Sequence, residues 1–114
     1  MEYMRERGYL GSFELMVMLA VIRLGENAYG VPISREIEKS SRRRVVLSSV
    51  YAALERLSEK GLVSSALGEP TAERGGRAKR FFRVTTTGLR EVREAQVTLE
   101  KLGRVLPQPE GDVA

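Results

Sequence analysis

Cysteine, histidine and tryptophan are all missing from this 114-residue chain. Without cysteine there is neither a disulfide framework nor a thiol nucleophile. Without histidine the usual general base and the commonest metal ligand are gone. No paired-carboxylate pattern stands in for them, so the reading is of a non-enzyme with no catalytic residues, no metal site and no cofactor. Long apolar runs are lacking too. The most apolar stretch, Phe13 to Leu24, contains Glu14 and Arg23 and covers only about three helical turns, short of the roughly 18 residues that a membrane span needs. No cationic lead-in with a small-residue cleavage site accompanies it, which argues against a secretory signal and for a cytoplasmic location. What remains is 42% hydrophobic and 30% charged, a balance that builds one modest core and excludes wholesale disorder.

The net charge of +4 is unevenly spread. Residues 35–83 hold 12 of the 19 basic side chains and 6 of the 15 acidic ones, while the stretches before and after are each slightly acidic. A cationic middle between near-neutral ends points to a localised polyanion-binding face. A solvated basic surface with no partner is the bland alternative.

The pattern along the chain predicts helices first. Ser12 is placed to cap a helix that runs to Leu24, with Glu14 in its first turn and Gly25 as its stop. This helix is apolar nearly all round and belongs in a core or between subunits. A second helix is predicted from Tyr29 to Ser40, with Pro32 tolerated in its first turn; Ile33 and Ile37 face inward, and Glu36 and Glu38 face water. Arg42, Arg43 and Arg44 lead into a short extended piece, Val45 to Leu47. The clearest element is "SSVYAALERLSEKG", residues 48–61, capped by Ser48 or Ser49 and ended by Gly61, with Val50, Leu54 and Leu57 as its core stripe. Leu62 to Leu67 and Lys79 to Thr85 read as the two strands of a hairpin whose long tip, residues 68–78, is rich in turn signals. Thr85 caps a last helix over residues 86–106, in which Val92, Ala95, Leu99, Leu102 and Leu106 follow helix-pairing spacing, interrupted by Gln96. Pro107, Pro109, Gly111 and Asp112 make a frayed tail.

Three helices followed by a basic hairpin form a winged helix-turn-helix arrangement, mainly α with a small β-hairpin. Residues 1–85 would be the DNA-binding domain, 86–106 a dimerisation helix and 107–114 a flexible tail. The recognition helix would be residues 48–60, presenting Ser48, Ser49, Tyr51, Ala52 and Arg56; small residues there allow close approach to a groove wall, and the polar ones reach phosphates or base edges. Arg42, Arg43 and Arg44 precede it as further phosphate candidates. In "RGGRAKRFFRVT" (74–85), Gly75 and Gly76 let the hairpin backbone turn beside the phosphate rail. Arg74, Arg77 and Lys79 neutralise that rail, or one arginine enters the minor groove.

Three segments carry a resemblance to a known family: "LGSFELMVMLAVIRLGENAYGVPI" (10–33), "VVLSSVYAALERLSEKGLVSS" (45–65) and "GEPTAERGGRAKRFFRVTTTG" (68–88). The sequence resembles the PadR-like family of bacterial transcriptional regulators, whose founding members repress phenolic-acid stress genes. That resemblance implies a winged-helix homodimer that binds a near-palindromic operator in double-stranded DNA and represses transcription, with a small-molecule effector as a further candidate partner. It also implies that Ser48, Ser49, Tyr51 and Ala52 line the groove-facing start of the recognition helix, that Arg74, Gly75, Gly76, Arg77 and Lys79 form the wing, and that Tyr29 matches the family's core tyrosine. Thr86 departs from the proline with which many members start the last helix. Without tryptophan, the resemblance does not imply the flat aromatic drug-stacking pore of some multidrug-sensing members. The short C-terminal region is similar to the compact branch with one dimerisation helix.

Dimerisation has a physical rationale as well. The first helix, with Leu15 and Met18, and the seam Val92, Ala95, Leu99, Leu102 and Leu106 offer more apolar surface than one small domain covers, and burying it is worth about 25 cal/mol per Å². The alternative is a last helix folded back on its own domain. For the function as a whole, the alternative is a winged-helix protein-interaction module without direct DNA binding.

Overall fold

The structure is a computed structural model that describes residues 10–69 and 78–109. Helix α1 spans Ser12–Leu24, a 3-10 turn Gly25–Asn27, helix α2 Gly30–Ser41, helix α3 Leu47–Glu59, strands β1 Val63–Leu67 and β2 Arg80–Val84, and helix α4 Thr86–Gly103. Mainly helical architecture with one antiparallel hairpin matches the expected winged helix-turn-helix order.

Helix α1 starts one residue earlier in its capping than the sequence suggests. Gly11, not Ser12, is the N-cap, because the Glu14 carboxylate reaches back to accept the Gly11 N–H at 3.3 Å. Half of a capping box thereby does the work that a serine hydroxyl was expected to do. Gly25, at φ +61°, closes the helix as expected. Helix α1 is less uniformly buried than its composition implies: Val17 and Met18 are fully buried, whereas Met16 and Ile22 are exposed.

Helix α2 has Tyr29 as N-cap and ends on Arg42, which adopts the left-handed conformation at φ +61° and donates its N–H to the Glu38 carbonyl at 2.7 Å. The turn to α3 is held by a side chain. The Glu38 carboxylate accepts the Val45 N–H at 2.8 Å, so Glu38 is half-buried rather than free in water. That tether keeps Val45 and Val46 extended and brings the start of α3 forward to Leu47, with Val46 as N-cap. Ser48 and Ser49 therefore lie inside the first turn and do not cap it. Helix α3 ends as expected at Gly61, φ +75°, where the Leu62 N–H bonds the Leu57 carbonyl at 2.9 Å, closing the last carbonyls as a Schellman-type turn does.

The hairpin pairs Val63 with Val84, Ser65 with Phe82 and Leu67 with Arg80. Its β2 edge is tied to the helices through the Phe82 N–H, which donates to the Ala28 carbonyl at 2.8 Å. Phe82 is buried and Val84 half-buried, so the hairpin base is anchored in the core. Thr85 caps α4, accepting the Gly88 N–H at 3.0 Å while its hydroxyl donates to the Gly61 carbonyl at 2.8 Å. At Gly88 the first turn of α4 presses on the Leu62 carbonyl so closely that a β-carbon would overlap it. Helix α4 stops at Gly103, three residues short of the expected end.

One core joins these elements. Met18 from α1, Ile33 from α2, and Val50, Leu54 and Leu57 from α3 are its most deeply buried members, with Leu62, Phe82 and Val92 closing it from the hairpin and α4. Each fully buried side chain of this size stabilises the fold by about 1.5–3 kcal/mol. No described helix is long and apolar enough to cross a membrane.

Candidate nucleic-acid interface

The 3.6-residue period of α3 puts Val50, Ala53, Leu54 and Leu57 on the core and leaves Ser48, Ala52, Glu55 and Glu59 as the opposite ridge, all exposed. Two of the expected readers, Ser48 and Ala52, stand on this ridge. Tyr51 stands on its flank, and its phenol leans on α2, where the hydroxyl sits against Gly30 at a position a β-carbon would occupy. Any side chain at position 30 would displace the Tyr51 phenol, and Tyr51 is partly committed to the domain while remaining 44% exposed.

The other flank faces α1. Ser49 borders a shallow groove of about 360 Å³ lined by Phe13, Met16, Ile37, Val45 and Val46, with Arg43 and Arg44 at its rim. Arg56, also expected to reach DNA, donates from Nε to Glu14 Oε2 at 2.9 Å, and Lys60 approaches Glu14 Oε1 at 3.4 Å. Glu14 is buried. Burial alone would push its carboxyl up, but hydrogen bonds from Arg56 and the Gly11 N–H, with the charge and hydrogen bond of Lys60, outweigh burial and hold it below the usual glutamate range. Arg56 is therefore a brace between α3 and α1. Its side chain keeps 53% of its exposure, so its outer edge still faces solvent.

Arg42, Arg43 and Arg44 are exposed on the turn that leads into α3. Lys79 lies at the root of the wing, its ammonium 4.3 Å from the Tyr29 ring centroid and 3.3 Å from the Tyr29 hydroxyl; the same ring meets Phe81 edge-on at 5.3 Å. Lys79 thereby sits beside the start of α2, where unpaired backbone N–H groups favour an anion. Arg74, Gly75, Gly76 and Arg77 lie outside the described residues.

The expected dimerisation set separates into two groups. Leu15, Met18 and Val92 are buried in the chain's own core, and Ala95 packs against that core, because α4 lies against α1 along its first half. Leu15, Met18 and Val92 are thus taken up by the subunit's own core, and Ala95 keeps part of its surface. Leu99, Leu102 and Leu106, joined by Val105, are 58%, 71%, 76% and 86% exposed.

The sequence reading missed three residues that organise this face: Glu14, Glu38 and Tyr29 as the seat for Lys79. Glu14 left a trace as a first-turn carboxylate and Tyr29 as the match to the family's core tyrosine, while Glu38 left none. Arg56 and Lys60 reach Glu14, and Lys79 reaches Tyr29, from 42 to 50 residues away, whereas Glu38 bonds Val45 only seven residues on. Among the described residues no group of three or more histidine, cysteine, aspartate or glutamate side chains could hold a metal ion.

Comparison with known proteins agrees with this geometry. A family model described as the transcriptional regulator PadR-like family matches residues 18–94. No curated protein matches. Among solved structures, a transcriptional regulator from Clostridium thermocellum superposes with a TM-score of 0.69 at 21% identity, over 93% of this chain and 95% of that one. A PadR-like transcription factor from Bacteroides fragilis gives 0.69 at 23% identity, over 99% and 97%. A PadR-like transcriptional regulator from Bacillus cereus gives 0.63 at 17% identity, over 95% and 100%. At these identities the structures establish the shared fold, and the family model, which runs from Met18 in α1 to the middle of α4, establishes the lineage: the chain belongs to the PadR-like family of transcriptional regulators.

Proposed function

We propose that the protein is a homodimeric repressor that binds a near-palindromic operator in double-stranded DNA. The observation that carries this reading is the exposed ridge of α3. Its amino-terminal half bears only Ser48 and Ala52, so the helix can enter a major groove by its blunt end. Arg42, Arg43 and Arg44 before it and Lys79 beside it would meet the flanking phosphates, and Arg74 and Arg77 would add to the same role. Glu59, at the carboxy-terminal end of the ridge, would repel phosphates and favour entry by the amino-terminal end.

A dimer through the exposed end of α4 supports this reading. Leu99 and Leu102 on α4, and Leu106 just beyond its end, are exposed apolar side chains that could pair across a two-fold axis. Two-fold pairing would set two recognition helices roughly 34 Å apart, one turn of B-DNA. A small-molecule effector that releases the operator completes the proposed regulatory cycle. The decisive experiment is titration of random duplex at several salt concentrations. A log–log slope reporting several phosphates is expected, whereas no duplex binding at low salt would favour a protein-interaction module.

A further inference from the structure

We infer that Glu55 reads sequence, accepting a hydrogen bond from the exocyclic amine of a cytosine in the major groove of each half-site. This rests on the DNA-binding reading above and names the base that the α3 ridge selects. The residues that would ordinarily compete for this role are engaged elsewhere. Tyr51 leans on Gly30, and Arg56 and Lys60 are bonded to Glu14. On the ridge itself Ser48 and Ala52 are short, leaving Glu55 as the first long polar side chain from the amino-terminal end.

The Glu55 carboxylate is exposed and has no hydrogen bond or ion pair with another described residue. Its neighbours one turn away, at positions 51, 52, 58 and 59, are tyrosine, alanine, serine and glutamate, so no intrahelical cation neutralises it. An ionised carboxylate only accepts hydrogen bonds. DNA phosphates offer it no donor, and in the major groove the donors are cytosine N4 and adenine N6. Adenine presents its N7 acceptor next to N6 and so repels a carboxylate, which leaves cytosine. Position along the helix favours Glu55 over Glu59. From Ser48, Glu55 lies about 10 Å along the axis and Glu59 about 16 Å, against a major groove about 12 Å wide.

The test is selection of duplexes from a random pool by the full chain, as wild type, Glu55→Gln, Glu55→Ala and Glu59→Gln. The substituted positions are exposed, and thermal melting matching the wild type confirms that each variant is folded. Wild type is expected to enrich a C·G pair at one symmetry-related position per half-site. Replacing that cytosine by thymine, which presents an acceptor in place of the amine, should weaken wild-type binding by roughly tenfold to a hundredfold. Glu55→Gln should move the preference there to A·T, and Glu55→Ala should flatten it while raising affinity for random duplex. An unchanged preference in both Glu55 variants overturns the inference, as does a preference that moves only with Glu59→Gln. A wild type that binds duplex but enriches no sequence also overturns it, leaving DNA binding intact. A wild type that binds no duplex at low salt removes the DNA-binding reading itself and this inference with it.

Discussion

The Arg56 guanidinium donates to Glu14 at 2.9 Å across a sequence separation of 42 residues, joining the first turn of α1 to the carboxy-terminal half of the recognition helix. Lys60 adds a second contact one turn further along α3. The pair ties the outer flank of α3 to α1, adding to the orientation that the core stripe Val50, Leu54 and Leu57 already sets. A cation that composition assigns to DNA is thus spent on orienting the helix that would meet DNA.

Glu14 gives the fold an acid-sensitive tie. Its folded-state pKa is lowered, so its contribution is present above the ordinary glutamate range and is lost as pH falls through the folded value. Glu14→Gln should cost about 1–2 kcal/mol near neutral pH, a modest figure because Arg56 and Lys60 are partly exposed and can rehydrate. Urea titrations at pH 7 and pH 4 check this: the gap between wild type and variant should shrink at the lower pH.

Gly88→Ala should be costly for a different reason. The added β-carbon meets the Leu62 carbonyl, a backbone atom that cannot swing aside, and relieving the overlap means lifting α4 from the hairpin. A loss of about 1–3 kcal/mol is expected by denaturant unfolding, despite the better helix propensity of alanine.

Arg42→Gly should move stability and DNA affinity in opposite directions. The left-handed backbone at Arg42 costs a non-glycine residue about 1–2 kcal/mol, partly offset by the greater unfolded-state freedom of glycine. A net gain of about 0.5 kcal/mol or more is expected in thermal unfolding, with the slope of log affinity against log salt reduced by about one if Arg42 meets a phosphate.

Lys79→Ala should lower the same slope by about one and weaken random and operator duplex alike. Losing its contact with the Tyr29 ring costs about 0.5–1 kcal/mol of stability as well. Fluorescence anisotropy over a salt series, paired with a thermal melt, separates the two effects.

Leu99→Asp should leave the folded subunit intact, since Leu99 is 58% exposed within it, and yield monomers in sedimentation because a charge would be buried at the pairing face. Persistent dimers would move the interface elsewhere.

Much of the architecture was legible along the chain because local rules decide it. The apolar stripe Val50, Leu54 and Leu57 defines α3 by period alone, Gly25 and Gly61 stop helices where left-handed backbone is needed, and Thr85 caps α4 as a hydroxyl before a helix should. The helix starts were less legible. Ser12, Ser48 and Ser49 have good capping chemistry, yet each lost the position to a carboxylate: Glu14 bonding Gly11 in one case, Glu38 holding Val45 in the other.

Sequence by itself determined the element order, the cationic middle and the family, because periodicity, capping chemistry and motif spacing are properties of neighbours in the chain. Only the tertiary structure decided which side chains remain available. It drew Arg56 onto Glu14, turned Tyr51 toward Gly30, and buried Leu15, Met18 and Val92 while leaving Leu99 and Leu102 in solvent. The physical reason is that a side chain's availability depends on what packs beside it, and those partners come from residues far away in sequence.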